Sequence, residues 1–427
     1  MRVLVCDDVQ SRCDEIANEI VKAGQAKPEV LADKKLTVEL TNLFKEIRSC
    51  MENPTQFDHA RKTAFDGVDI VIVDNNLGHL EVPGARLTAE SIAGYVRAFT
   101  TATYVISLNL NPDVDFDLRY LVGDFSTRAD LALNANHLAN PGLWAGDPKL
   151  TKDGFLPWYW PHLSTVADRR VKQIDFVTKR LDQSVAGALG FDDDAISFLS
   201  LRARGALSPD AASNGEIARG GTPFKDLTFR DVFIAKDRSL PIKTERESLS
   251  QAEKSGKSEL RNIIARVVAA DMDLWFRRDI VSPQEPLVDV PHLLMRLPFL
   301  LGNRAKDIGQ WNASAQANAA PYGVEKNLYD GHLRQARFEH DIWVRDDCFW
   351  WPKLKTDDKL NAYFFEAKGG EWADLVFCED RSAFFPRTPT NGEGPVEFPA
   401  EFEGAWEQRY VARVPGYRYS PRSRLAM

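Results

Sequence analysis

The sequence has no long uninterrupted hydrophobic run, and it contains few cysteines. The most apolar later segment, residues 290–301, is broken by His292, Arg296 and Pro298, so we expect no membrane-spanning helix. The N-terminus, MRVLVCDDVQ, becomes charged after a few residues, and we expect no export signal there. The five cysteines form no CxxC pair, as is usual for reduced thiols. These features predict a cytoplasmic protein without membrane contact.

The motifs of several enzyme classes are also absent. The chain contains no Gly-rich phosphate loop, no GxSxG and no HExxH, and its histidines and cysteines are not paired at the close spacing of structural zinc sites. A formal net charge of -8 argues against nonspecific attraction to nucleic-acid phosphates. The Arg-rich end, RYVARVPGYRYSPRSRLAM, is the one segment that would suit such a partner, and we interpret it as a solvated terminus.

What is present is an alternation of apolar runs with amphipathic stretches over the first third of the chain. This βαβα alternation predicts a doubly wound α/β domain with a buried parallel sheet, which we place at residues 1–145. A weak run, DLALN, would supply the fifth strand. The apolar runs assigned to the first four strands are RVLVC, LTVEL, VDIVIVD and TYVISLNL.

The remaining residues predict two further regions. Apolar side chains at helical spacing indicate one long helix over residues 163–190, within a helical linker at residues 146–256. A second long helix is predicted over residues 258–280. Aromatic strand-like pieces (DIWV, CFWW, AYFFEAK and ADLVFC) then predict an α+β C-terminal domain at residues 257–427.

Three acidic residues follow predicted strands. Asp7 and Asp8 come directly after the first strand, and Asp74 follows VDIVIV. Because the carboxyl ends of parallel strands meet at one edge of a sheet, these carboxylates should share a pocket. Three such charges repel one another, and a hard divalent cation such as Mg²⁺ would relieve the repulsion. The alternative is that the acids only cap the helices that follow the strands.

The acid pair, Asp74 in VIVDNNLG and Ser107 in YVISLN resemble the receiver domains of response regulators. The resemblance covers about a third of the chain and implies a flavodoxin-like five-stranded domain with Asp74 as the phosphoacceptor. It also implies Mg²⁺ bound weakly by Asp7, Asp8, Asp74 and the backbone carbonyl of Asn76. Ser107 would sense the phosphoryl group. A histidine kinase or another phosphodonor protein would be the partner, and the C-terminal domain would contact an output protein.

Two features depart from that family. Receivers usually carry a Lys at the end of the fifth strand, whereas this chain has Asn134 at the position that we align there. The segments AGQAKPEVLADKK and MENPTQFDHARKT are interpreted as insertions. Because a missing cation weakens phosphoryl-group stabilisation, the sequence leaves open whether Asp74 is phosphorylated or the domain is a pseudo-receiver used for docking.

The competing hypothesis is an effector enzyme. Glu366-x-Lys368, with Asp341 or Asp346 upstream, is similar to the signature of Mg²⁺-dependent nucleases of the restriction-endonuclease-like type. The pattern is short, and an exposed Glu and Lys on an edge strand explain it as simply. We therefore predict a non-enzymatic two-component-type signalling or regulatory protein, in which the receiver-like domain controls the C-terminal domain.

Overall fold

The structure is a computed structural model of the chain. The residues that it describes are 1–52, 63–80, 87–109, 128–147, 150, 158–159, 161–208, 222–235, 258–301, 307–315, 324–357, 360, 375–378, 382–386 and 410–412. Glu366 and Lys368 lie outside the described residues, as does the Arg-rich end apart from residues 410–412.

Five parallel strands form one sheet in the order β2-β1-β3-β4-β5. This order is that of the flavodoxin-like doubly wound fold, which confirms the predicted α/β class and the five-stranded parallel sheet. The β-branched and apolar side chains of the five strands suit a sheet that is covered on both faces. The strands are β1 (Val3–Asp7), β2 (Glu29–Ala32), β3 (Ile70–Asp74), β4 (Tyr104–Asn109) and β5 (Leu131–Asn134).

The second strand was assigned wrongly from the sequence. LTVEL, whose alternation suggested a strand, lies in helix α2 (Asp33–Glu52), and EVLA, which we had interpreted as part of an insertion, forms β2. In that run Val38 is 56% exposed, as expected if helical spacing rather than alternation decides which residues are buried. The buried face of α2 consists of Leu36, Leu40, Leu43 and Ile47, which recur every three or four residues as a helix requires.

Side chains that alternate along the strands separate two hydrophobic clusters on opposite faces of the sheet. On one face, Val3 and Val5 pack in the cluster that includes Cys13 and Ile16 of helix α1 (Gln10–Lys22). On the other face, strand residues join α2 and α3 (Ala89–Phe99). The sheet is therefore buried on both sides, as its composition predicted.

Two later helices pack against this domain. Helix α4 (Leu163–Thr178) ends well before residue 190, because Ser184 caps a separate helix, Val185–Leu189, by accepting a hydrogen bond from the Gly187 N–H. Helix α5 (Ser258–Trp275) continues as a π-helix to Val281, close to the predicted range. The cluster on the α1 face extends through residues of all three predicted regions, and the domain boundaries at 145 and 256 stay predictions.

The aromatic C-terminal region contains short strands and helices. The predicted strand CFWW forms β7 (Cys348–Trp350), antiparallel to β6 (Leu287–Asp289). DIWV forms a turn instead, because buried Trp343 packs against Phe276 with ring centroids 5.6 Å apart. None of the helices in the described ranges combines the length and apolarity needed to span a membrane. The remaining strands are Leu375–Cys378, Ala383–Pro386 and Tyr410–Ala412.

Short helices complete the described structure. Most are a single turn or two, and several begin at a side-chain cap, such as Asn140, Asp192, Ser200 and Asp289. The α-helical ones are Pro141–Ala145, Asp193–Ser197, Leu201–Leu207, Phe229–Ala235, Val290–Arg296, Ile308–Ala315, Lys326–Leu328, Arg334–Ala336 and Trp351–Lys355.

A buried network of charges joins the sheet to α3, α4 and α5. Asp130, just before β5, lies 3.0 Å from Arg97 Nη2 and 2.7 Å from Arg170 Nη1. Arg170 also contacts Asp273 at 3.2 Å, and Arg277 contacts Asp273 at 3.1 Å. Because unpaired buried charges are costly, each of these side chains depends on the others for compensation.

We predict that Asp130→Asn destabilises the protein by about 3 kcal/mol or more, because it leaves Arg97 and Arg170 without their shared carboxylate. Urea denaturation followed by tryptophan fluorescence would measure the change in the free energy of unfolding. The matched control is Asp175→Asn, which breaks an exposed pair with Lys179 and should cost about 1 kcal/mol or less. Equal losses in both variants would contradict the importance of the network.

Candidate functional site

The predicted carboxylates lie at one edge of the sheet. Asp7 is the last residue of β1, Asp8 follows it, and Asp74 is the last residue of the neighbouring strand β3. All three are at most 5% exposed. The charges of Asp74 and Asp8 both act on Asp7, so the fold brings the acids within electrostatic reach of one another.

Backbone N–H groups satisfy only part of this cluster. Asp7 Oδ1 accepts from Val9 N at 2.8 Å, and Asp8 Oδ2 accepts from His79 N at 2.9 Å. Asp74 Oδ2 accepts from Asn76 N at 3.1 Å. The other oxygens of the pair, Asp7 Oδ2 and Asp8 Oδ1, are buried without a hydrogen-bond partner among the described residues. Buried acceptors of this kind are uncommon and indicate a place for a proton or a cation.

The electrostatics agree with this arrangement. Burial raises the pKa of Asp7 to about 7, and the charges of Asp74 and Asp8 add to the rise against the effect of the Val9 N–H. Burial also raises the pKa of Asp74, with a contribution from Asp8, while the Asn76 N–H and the positive charge of Arg12 oppose it. Near neutral pH the cluster therefore gains from taking up a proton or a cation.

Helix capping does not account for the acid pair. Helix α1 begins at Gln10, its N-cap residue is Val9, and no side chain caps it. Asp7 accepts a hydrogen bond from the backbone N–H of Val9, only two residues later in the chain. Asp8 accepts one from the backbone N–H of His79, in the segment after β3. The acids thus contact two different segments at the sheet edge, which simple capping of one helix would not require.

The other predicted site residues lie around the same edge. Ser107, in β4, pairs in register with Val73, and its Oγ lies 3.5 Å from Asn75 Oδ1. Asn76 is two residues beyond β3, and its main chain forms an isolated bridge with Thr88. Ser107 is thus linked to the residue that follows Asp74.

The positive charge at the site comes from a residue that the sequence analysis missed. Asn134 is the last residue of β5, opposite Asn109 in register, so the aligned strand-five position indeed carries no cation. Arg12, in the first turn of α1, acts electrostatically on Asp74 instead. Its place in the first turn of the helix that follows the acid pair was the available signal.

The carboxylates fit Mg²⁺ by chemical type, because hard cations prefer oxygen ligands and two buried oxygens lack partners. Among the described residues, no three His, Cys, Asp or Glu side chains are arranged closely enough to hold a metal ion as they stand. Asp7, Asp8, Asp74 and the Asn76 carbonyl are the groups that would supply ligands to a metal ion.

A second buried constellation was also missed by the sequence analysis. His292 Nδ1 lies 2.6 Å from Asp289 Oδ1, and Trp158 Nε1 donates to Asp289 Oδ2 at 2.5 Å. Cys348 is paired with Asp289 across β6 and β7. Burial, together with the charge of Asp289, raises the pKa of the Cys348 thiol. A thiol that resists ionisation is a poor nucleophile, so this cluster is better suited to holding the core together.

Comparison of the chain with protein-family models, with curated proteins and with solved structures finds no match.

We predict that Asp7→Asn stabilises the protein in metal-free buffer at pH 8. The pKa of Asp7 is raised by folding from 3.8 to about 7, so the folded state holds this proton more tightly. The wild type should therefore lose stability as the pH rises from about 4 to about 7. One unit of pKa corresponds to ~1.4 kcal/mol. The free energy of unfolding of the variant should therefore exceed that of the wild type by at least this amount at pH 8 and by almost nothing at pH 4.

Urea denaturation at several pH values would measure this difference. The control is Asp14→Asn, an exposed acid on the same helix, which should show little change at any pH. A gain for Asp7→Asn that is independent of pH would contradict the assigned ionisation.

Proposed function

We propose that this chain is a signalling or regulatory protein of the two-component type, whose N-terminal domain acts as a receiver with Asp74 as the phosphoacceptor. The observation that supports the proposal best is the group of buried acids at the ends of β1 and β3, which repel one another and retain unsatisfied oxygens. In doubly wound folds, ligands bind at this carboxyl edge of the sheet.

The proposed chemistry assigns a task to each group. A carboxylate oxygen of Asp74 attacks the phosphorus of a phosphohistidine or a small phosphodonor. The new O–P bond forms as the P–N or P–O bond to the donor breaks, and the donor leaves with the bonding electrons. Asp7, Asp8, Asp74 and the Asn76 carbonyl would hold Mg²⁺. The ion would supply positive charge against the phosphoryl oxygens.

The expected rate of phosphorylation of Asp74 depends on the positive charge near it, and therefore on Arg12 and on the Asn134 that stands at the strand-five position. Without a cation at the strand-five position, transition-state stabilisation should fall by ~3 kcal/mol, or about a hundredfold in rate. Arg12 lies on the α1 side of Asp74 and already favours its ionised form. We therefore propose slow phosphorylation rather than none. A pseudo-receiver, which docks a partner without phosphorylation, is the alternative within this class.

The proposed output passes through β4 and β5. Ser107 would move toward the phosphoryl group and shift β4. That shift would displace Asp130, whose Oδ2 accepts a hydrogen bond from Val105 N of β4 at 2.7 Å. Asp130 in turn holds Arg170 of α4. A charge-driven change at Asp74 would thus alter how the later helices sit on the sheet and change the contact between the C-terminal region and its protein partner.

We predict that the full chain, incubated with Mg²⁺ and acetyl phosphate, gains one phosphoryl group at about a hundredth of the rate of an ordinary receiver. Intact mass spectrometry would follow the gain. Asp74→Asn should abolish the gain in mass. In Asp8→Asn, Mg²⁺ should no longer increase the rate of the gain. Asp14→Asn should leave both the gain and its rate unchanged. A wild type that gains no mass and does not respond to beryllofluoride would contradict phosphorylation and favour docking by a pseudo-receiver.

The nuclease alternative requires a separate test, because Glu366 and Lys368 lie outside the described residues. Of their candidate partners, Asp346 is held by Arg345, with Nε 2.7 Å from Oδ2, so it is already compensated. We predict no Mg²⁺-dependent cleavage of DNA or RNA by the full chain in a gel assay. Cleavage that disappears in Glu366→Ala but persists in Asp74→Asn would establish the enzyme hypothesis instead.

A further inference from the structure

A small cavity lies at the other edge of the sheet, away from the predicted phosphorylation site. Tyr104 and Leu131, which begin β4 and β5, form part of its wall. Residues of α4 and α5 form the rest, together with the turn around Tyr159 and the segment before β7. Because the strands are parallel, this edge lies opposite the carboxyl ends at Asp7 and Asp74.

Arginine side chains dominate the charge of this cavity. Arg169, Arg277 and Arg345 line it, and Asp273 is the one acid among the described residues that line it. Asp273 is already compensated, because it accepts hydrogen bonds from Arg170 at 3.2 Å and from Gln173, and it also pairs with Arg277. The cavity therefore presents more positive than negative charge.

Arg169 is the least compensated of these cations. It is partly exposed, and it makes no hydrogen bond or ion pair with any residue in the described part of the chain. Arg345, by contrast, is bound to Asp346. The charge of Arg169 acts on Asp273 without a hydrogen bond between them. A guanidinium that faces a cavity without a hydrogen-bonded carboxylate is suited to an oxyanion, since its parallel N–H groups match two oxygens of a phosphate or a carboxylate.

His162 reflects the positive charge around the cavity. Burial lowers the pKa of His162 to about 4, and the charges of Arg345 and Arg169 contribute. The ring packs directly against the backbone of Gly146, where an added Cβ would lie 2.1 Å from it. Gly146 has a φ of +65°, a conformation that glycine adopts at little cost. The chain thus holds a neutral imidazole in place beside the arginines.

We propose that this cavity binds the phosphate or carboxylate group of a small molecule, with Arg169 as the direct counter-charge. The ligand would add the negative charge that the lining lacks, and it would bridge α4 to the region before β7. The proposal does not rest on phosphorylation at Asp74, because the cavity lies at the opposite edge of the sheet and Asp74 is not among its lining residues.

The test uses the full-length chain with Asp74→Asn as background and no divalent cation, so that the predicted phosphorylation site cannot respond. Inorganic phosphate and citrate are titrated separately at constant ionic strength, with sodium chloride as the balancing salt, and binding is followed by thermal shift and calorimetry. We expect saturable binding of at least one probe, and a rise in the melting temperature with its concentration. Binding of phosphate alone or citrate alone would identify the oxyanion class.

Arg169→Gln should weaken that binding roughly tenfold or more, because a charged hydrogen bond is lost. The control is Lys172→Gln, which removes an exposed charge from the same helix and should leave the affinity unchanged. A spectroscopic readout is independent of stability: bound anion should raise the pKa of His162 in an NMR titration, with the resonance assigned by His162→Asn. No saturable binding of either probe, or equal weakening in both variants, would overturn the proposal.

Discussion

Asp130 carries the interaction on which the arrangement of the described regions depends. Its carboxylate is fully buried between the sheet and the later helices, where it accepts from the Val105 backbone and pairs with Arg97 and Arg170. A buried carboxylate of this kind is tolerated only when donors surround it. The position of α4 is therefore determined by where its arginine must lie as well as by its apolar face.

The same requirement extends to α5. Asp273 accepts from Arg170 and Gln173 of α4, and Arg266 of α5 donates to the carbonyls of Arg97 and Ala98 at the end of α3. Helix ends leave carbonyl groups without partners, and arginine side chains satisfy them. Burial of apolar surface brings these helices together, whereas the polar contacts specify how they are placed.

The two edges of the sheet carry an excess of buried charge of opposite sign. At the carboxyl edge, Asp7 and Asp8 retain oxygens that have no partner among the described residues, and the repulsion between the acids favours binding of a proton or a cation. At the other edge, arginines exceed acids among the described residues around a cavity, and Arg169 faces it without a hydrogen-bonded carboxylate in the described part of the chain. Strands β4 and β5 run between the two edges. A ligand at one edge would thus act on the same strands as a ligand at the other.

The sequence by itself determined the class of the N-terminal fold and the edge at which its acids lie. Unbroken apolar runs identified β1, β3 and β4, because strands buried on both faces need apolar side chains at every position. Asp7, Asp8 and Asp74 followed from those strand ends. The alternating pattern around Val38 gave a wrong strand prediction, since a short run fits a strand and a helix equally well. Tertiary structure decided that case, because only packing shows that Leu36 and Leu40 share one buried face.

Tertiary structure alone also decided the charge pairs. Asp130, Arg170 and Asp273 are far apart in the chain, and nothing in their local sequence marks them as partners, because an ion pair depends on distance in space. The same holds for Arg12 beside Asp74 and for Arg169 beside the cavity. Local patterns report which elements form, whereas the partners of a buried charge are known only once those elements are packed together.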